Sequence, residues 1–412
     1  MRWPTTRARR AGSLSAPALP VLLAAGLLLA GCSAPGTSGT TGSGPSSSAP
    51  VKVGLVYSRT GLLAAYGKQY REGFDAGLKY ATHGTGTVDG HRIEVTAKDD
   101  AGSPGTAVAE TKDLIGRGCR IIAGTTDSGV ALQTAPLAAQ NRVLYIDGPA
   151  ATDDITGVNR YTFRSGRQSY QDTLTAASVL GSAKDKKVTV LGQNTAFGQA
   201  NVAAVKGVLG GRGAKVTAVL APPSATDLTP FARQVKAAAP DLVFVAWAGS
   251  TAPALWTALD QQGVLGSTKV VTGLAGTASY PVFGRAASKV SFLAHYFPGA
   301  GGGNPVEKAM IDDVTKAGGT PDLFTPDGFT AAQMVVRAVH AGSPTDTDAM
   351  VKALEGWSFA GPKGKEQVRA ADHALLQPMF TARLVGTGAS AKPRLVSTQP
   401  ASAVAPPVRK KG

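Results

Sequence analysis

The chain has 412 residues, enough to bury one large core or two smaller ones. Apolar residues make up 43% and charged residues 17%, an ordinary globular balance that excludes wholesale disorder. The formal charge is +15, but Arg2, Arg7, Arg9 and Arg10 fall in a segment expected to be removed, leaving 38 basic against 27 acidic residues, or +11. Those cations are scattered except for Arg409-Lys410-Lys411, and no basic stripe interleaves with aromatics, which argues against a nucleic-acid partner.

The first 31 residues read as an export signal. Arg7, Arg9 and Arg10 precede the apolar run from Val21 to Ala30, too short to span a membrane and the right length for a secretory h-region. Leu29-Ala30-Gly31-Cys32 matches a lipobox, in which the cysteine thiol is acylated and becomes the new N-terminus. The expectation is an exported protein held by lipid through Cys32 on the outer face of the cell membrane. Residues 33–50 contain only Ser, Ala, Pro, Gly and Thr, so 32–50 is expected to be a flexible tether. Cys119 then has no intrachain partner, and its place before Ile121-Ile122-Ala123 reads as a small buried residue.

From Val51 the pattern is strand, loop, helix, repeated. Residues 51–56 form a β-branched and apolar strand, and residues 69–81 place Tyr70, Phe74, Gly77, Leu78 and Ala81 on one helical face. The loop between them, Ser58-Arg59-Thr60-Gly61 and Ala65-Tyr66-Gly67, stands at a strand carboxyl end, where open α/β sheets hold ligands, although spacing alone favours an ordinary βα connection. Residues 92–97 alternate as a strand, and Ser103-Pro104 supplies an N-cap hydroxyl followed by proline for the next helix. Strands at 120–123 and 143–146 run into the loops 124–129 and 148–152. Four such units imply a parallel sheet with helices on both faces.

Ser165-Gly166 reads as a change of domain, after which the rhythm restarts. Strands are expected at 187–191, 216–220, 242–245 and 269–272, with helices between them. Residues 292–297 form a further strand, 306–317, 327–340 and 348–357 helices, and 379–385 a last strand. Residues 393–412 are expected to be a disordered tail.

Catalytic signatures are missing. His83, His91, His295, His340 and His373 stand far apart, with no His-Glu-x-x-His or Cys-x-x-Cys pair to hold a metal. There is no Gly-x-Ser-x-Gly elbow and no phosphate loop. Asp99-Asp100 are adjacent on a strand and so face opposite ways, which suits loop capping better than acid–base work. The reading is a non-enzyme with neither cofactor nor metal.

The order and spacing of Ser58-x-Thr60-Gly61, Ala65-Tyr66-Gly67, Asp99-Asp100-x4-Gly105-x-Ala107, Gly124-x3-Ser128, Pro149-Ala150-Ala151-Thr152 and Asp372-His373 resemble those of leucine/isoleucine/valine-binding proteins. These are type I solute-binding proteins of bacterial ABC importers. The resemblance runs from about Val51 to Val385. It implies two Rossmann-like α/β lobes joined by a three-segment hinge, with crossovers near Ser165, Phe297 and Leu375: lobe one from 51–165 plus 298–374, lobe two from 166–297 plus 375–392. A small, partly apolar solute would be held between them and passed to a membrane permease. An extracellular sensor presenting the same fold to a signalling receptor is the alternative.

Carried over by position, the resemblance places Tyr66 over the ligand's apolar part. It places Ser128, Thr152 and backbone groups of Ala150, with Ala151 in the same loop, at a carboxylate or amide oxygen. Phe197 and Trp247 would be aromatic walls from lobe two. Amino-acid binders of this family hold the ligand's ammonium with an acidic side chain from lobe two, yet the matching loop here reads Gly273-Leu274-Ala275-Gly276-Thr277. Leu274 stands nearest that position. A buried ammonium without an acceptor loses several kcal/mol, so a ligand without a free amine is expected: a branched or aromatic acid, or an amide. Asp127, Asp147 and Asp227 are the carboxylates that could substitute.

Overall fold

The computed structural model describes residues 48–386 and 388–410. The signal segment, Cys32 and most of the expected tether lie outside the described residues. The first lobe begins with β1 (Ser48–Tyr57), α1 (Ala64–Ala81), β2 (Thr87–Val88), β3 (His91–Asp99), α2 (Pro104–Gly116), β4 (Ile121–Ala123), α3 (Ser128–Gln140), β5 (Leu144–Asp147) and β6 (Thr162–Arg164). The second comprises α4 (Ser169–Leu180), β7 (Lys187–Gln193), α5 (Ala196–Val208), β8 (Lys215–Ala221), α6 (Thr229–Ala237), β9 (Leu242–Ala246), α7 (Ala252–Gln261), β10 (Lys269–Gly273) and β11 (Val290–Ala294). The chain then returns through α8 (Pro305–Lys316), α9 (Thr325–Ala341), α10 (Thr347–Leu354) and a small sheet of β12 (Ser358–Gly361), β13 (Gly364–Val368) and β14 (Leu375–Leu376). It ends on the second sheet with β15 (Met379–Val385) and β16 (Lys392–Gln399).

Period-two alternation builds each sheet into a two-faced core. Val53 and Leu55 of β1, with Ile121 and Ala123 of β4, face Tyr70, Phe74 and Met334 from α1 and α9. Val56 and Ile122 face the opposite way, onto Leu114, Val130 and Ala135 of α2 and α3. The second sheet repeats the device: Val243 and Val245 meet Leu255 and Leu259 of α7, while Leu242 and Phe244 meet Ala176, Ala177 and Val205 of α4 and α5. Each large side chain so buried contributes about 1.5–3 kcal/mol before chain entropy is charged against it.

The first sheet has the order β2-β3-β1-β4-β5-β6 and the second β16-β15-β11-β10-β9-β7-β8. All pairs are parallel except β2 on β3 and those of β15 and β16. Strand order therefore reverses between β1 and β4 in one sheet and between β7 and β9 in the other, the crevices where such sheets take ligands. Covalent passes between the sheets fall between β6 and α4, after β11, and between β14 and β15.

Two expectations are corrected. Ser48 to Pro50, read as tether, are the first residues of β1, with Ser48 paired to His91. The supposed tail contains β16, which pairs along its length with β15. Pro393 suggested fraying, but proline is tolerated on an edge strand, where its missing N–H faces no partner. Beyond β16 the chain packs back on the first lobe. Val404 is buried, Arg369 donates to the carbonyls of Pro406 and Pro407 at 2.7 and 3.3 Å, and the Arg409 N–H reaches Asp372 Oδ2 at 2.9 Å.

Candidate ligand cleft

Loops at the carboxyl ends of β1, β4 and β5 form one wall. Asp99 and Asp100 set the first of them, as their capping reading required. Asp99 Oδ1 accepts from the N–H groups of Arg59, Thr60 and Ala101, and Asp100 accepts from Ser58 Oγ at 2.7 Å and Thr125 Oγ1 at 2.5 Å. This fixes the turn that presents Leu62, Leu63 and Tyr66 to the cleft. The Tyr66 ring lies 4.7 Å from that of Phe324, and burial raises its hydroxyl pKa. At the start of α3, Asp127 is the N-cap, its Oδ1 accepting from Gly129 and Val130 at 2.7 and 3.1 Å. Thr126, Asp127 and Ser128 all line the cleft, and Ser128 Oγ accepts the Thr152 N–H at 3.2 Å.

The loop after β5 departs from expectation. The Ala150 N–H is spent on Thr125 O at 3.2 Å, and the carbonyls of Ala150 and Thr152 accept from Arg164 Nη2 at 3.1 and 3.0 Å. Ser169 takes the Ala151 carbonyl and Arg167 Nη1 that of Pro149 at 2.7 Å. The physical reason is the burial of Arg164, 1% exposed, which demands acceptors beyond Asp147. Pro149 and Ala151 consequently line the cleft, while Ala150 and Thr152 stand one layer behind it.

The opposite wall carries most of the cavity's rings, although Gln193, Thr195, Asn201, Thr272 and Ser279 also line it. Phe197 follows β7, Trp247 follows β9 and Leu274 follows β10, and all three line the cleft with Phe244, Trp256, Val282 and Phe283. Trp247 spends its indole N–H on Thr251 Oγ1 at 2.9 Å, which leaves the ring to face the cavity. Of the expected sites, the structure thus gathers Tyr66, Ser128, Ala151, Phe197, Trp247 and Leu274 around one cavity of about 220 Å³. That is smaller than the ~300–1,000 Å³ typical of drug-sized clefts and suits a small solute. Of the three substitute carboxylates, Asp127 lines the cleft, Asp147 is buried beneath it with Arg164, and Asp227 caps α6 in solvent.

Sequence reasoning missed the groups at the hinge. Arg167 lies between β6 and α4 and lines the cleft, its guanidinium 5.5 Å from the Phe324 ring centre and its Nε 3.4 Å from Asp172 Oδ2. Asp172 is nearly inaccessible, and burial pushes its carboxyl up to about 6 against the pull of Arg167. The ring of His295, just beyond β11, lies 4.8 Å from that of Phe324 at a tilt of 41°. Burial, with the Arg167 and Lys363 cations nearby, holds its pKa well below the usual range, so it is neutral. The available signal was a pair of arginines, Arg164 and Arg167, at a domain crossover, where no solvent-facing helix explains them.

Two α/β lobes flanking a small cavity of mixed polar and apolar lining are the architecture of a solute-binding protein rather than an enzyme. The chain belongs to the periplasmic binding protein family, whose model matches residues 50–389. It is 26% identical over 325 residues to a Leu/Ile/Val-binding protein of Rhizobium johnstonii, a match covering 76% of this chain and 85% of that one. Among solved structures it is similar to an ABC-type branched-chain amino acid transporter protein of Rhodopseudomonas palustris, with TM-score 0.73 and 33% identity over 88% of this chain and 100% of that one. A solute-binding protein of an ABC transporter from the same species, in complex with 3,4-dihydroxybenzoic acid, matches with TM-score 0.75 and 25% identity over 88% and 98%. The protein is the extracytoplasmic solute-binding component of a bacterial ABC importer and captures a small ligand between its lobes.

Proposed function

We propose that the ligand is a small carboxylic acid with a branched or aromatic body and no free amine, and that the protein carries it to its permease while anchored by lipid at Cys32. The observation that carries the ligand reading is the commitment of the carboxylates lining the cleft. Asp127 Oδ1 is spent on the α3 N-terminus, and Asp172 faces Arg167. Leu274 lines the wall where the family's amino-acid binders hold an ammonium. Among the described residues lining the cavity, Arg167 is the one Lys or Arg; besides its pairing with Asp172, this reading gives its guanidinium the ligand's carboxylate. 3,4-Dihydroxybenzoic acid, the ligand in one of the similar solved structures, is an acid of this kind. A branched-chain amino acid is the second reading, favoured by the 33% identical relative and by Asp127, whose carboxylate lines the cleft.

Calorimetry separates the two. Leucine, valine and phenylalanine are titrated beside 4-methylpentanoate, 3-methylbutanoate, 3-phenylpropanoate and leucinamide. The expected result is tighter binding by the deaminated acids. Submicromolar binding of free leucine, about −8 kcal/mol or stronger, overturns the reading. For the anchor, Cys32→Ala should release the protein from membranes with ligand affinity intact, and continued membrane retention would sink that part.

A further inference from the structure

We propose that Asp322 is a positioning residue that latches the two lobes together and thereby sets how long the ligand is retained; this rests on the cleft being the ligand site. Asp322 lies between α8 and α9, and α9 packs along α1 in the first lobe. Gln69 of α1 fastens this segment at two points: its Nε2 donates to Asp322 Oδ2 at 3.1 Å, and its Oε1 accepts the Phe324 N–H at 3.1 Å. Asp322 Oδ1 accepts the Leu323 N–H at 2.8 Å, so the carboxylate cannot swing away without losing local bonds.

The same Oδ2 accepts the N–H of Thr277 at 2.8 Å. Thr277 opens the 3-10 segment Thr277–Ser288, which packs on α7 and β15 in the second lobe. The bond therefore spans the lobes. The approach needs a glycine beside it: a Cβ on Gly276 would stand 3.0 Å from Gln69 Nε2 and 3.1 Å from Asp322 Oδ2. A charged acceptor bound to a backbone donor is among the stronger hydrogen bonds, and here the accepting carboxylate is buried while the donor lies nearer the surface.

Its position ties it to the ligand. Leu274 and Ala275 precede Gly276 and line the cleft, and Leu323 and Phe324 follow Asp322 and line it too. One bond thus holds together two ligand-facing walls from different lobes. Opening the cleft along this edge breaks it, and its loss should appear in dissociation more than in encounter.

Thr277→Pro removes the donor with little disturbance to either lobe. Gly276 has φ −62° and ψ 153°, the conformation a residue before proline favours, and proline is accepted at the first position of a helix. Thr277→Ala keeps the N–H, loses only the hydroxyl that also lies against Asp322, and is the control that isolates the backbone bond. The probes are 4-methylpentanoate and leucine, followed by stopped-flow tryptophan fluorescence. Thr277→Pro should speed dissociation about tenfold, with association within twofold and the melting temperature unchanged, while Thr277→Ala stays near wild type. Unchanged dissociation in Thr277→Pro, or an equal change in Thr277→Ala, overturns the latch. Should neither probe bind wild type, the ligand reading fails, and the latch is then decided by X-ray scattering from the protein alone. A larger radius of gyration for Thr277→Pro supports it, and equal radii overturn it.

Discussion

The two walls of the cleft are built by the same topological device and do opposite things. On both sides the loops spring from strand carboxyl ends flanking a reversal of strand order. The first-lobe wall presents Thr126, Asp127 and Ser128, with Arg167 joining from the hinge, while the second presents Phe197, Trp247 and Leu274. Polar groups on the first side are held by backbone bonds and buried charges that fix direction. The second side offers rings and aliphatic carbons, interspersed with the uncharged polar side chains of Gln193, Thr195 and Asn201. On the proposed reading, one wall orients the solute and the other sizes it.

The strongest way to break this division is to remove the charge from the polar side while keeping it folded. Arg167→Met combined with Asp172→Asn deletes both members of the pair together, so no buried charge is left alone. Affinity for 4-methylpentanoate should fall by about 2–5 kcal/mol, the cost of losing a buried charged contact, with the melting temperature within a few degrees. Calorimetric titration checks it, and an unchanged dissociation constant would show that Arg167 only braces the hinge.

A pH experiment sharpens the same side. The Asp172 carboxyl is pushed up to about 6 in the folded protein by burial. A raised folded-state value means that protonation favours the fold: the contribution is complete below about pH 4 and is lost as pH rises through 6. Relative to Asp172→Asn, wild type should lose roughly 3 kcal/mol of stability between pH 4 and pH 8. Denaturant midpoints of the two proteins across that range measure it. Asp147, also raised, is common to both and cancels.

Tyr66 stands where the walls meet. Tyr66→Ala should weaken ligand binding by about 1.5–3 kcal/mol and barely alter thermal stability, because the half-buried ring faces the cleft. A large fall in melting temperature with intact affinity would return Tyr66 to the core. The smallest effect belongs to the sizing wall. Thr251→Val takes away the acceptor that orients Trp247 and should cost about 1 kcal/mol of affinity or less. Comparing a branched with an aromatic acid shows whether the indole discriminates shape.

The regular strands and helix starts were legible because their causes are local. Ser103-Pro104 does cap α2, with the hydroxyl accepting the Thr106 N–H at 3.3 Å, and Cys119 is buried where its apolar neighbours placed it. The hinge groups were not legible. Arg167 and Asp172 carry no motif, and His295, 128 positions from Arg167 in the sequence, comes near it only at the second crossover. The hairpin of β12 and β13 also escaped notice, since Gly361 to Gly364 and a short, polar β13 give weak alternation. β16 was hidden by Pro393, whose effect depends on whether its strand lies at an edge, a tertiary fact.

The return of residues 400–409 to the first lobe changes the mechanics of the hinge. Three covalent segments already join the lobes, and this stretch leaves the second sheet and is pinned by Arg369 and Asp372, between β13 and β14 in the first lobe. It closes a circuit around the pivot. A joint crossed at one point can twist and slide, whereas each added crossing at a separate point removes a degree of freedom until only bending about one axis survives. The connection is also redundant: a protease that nicks one crossing leaves the halves held by the others, so limited digestion should yield a cut chain that still migrates as one body without denaturant.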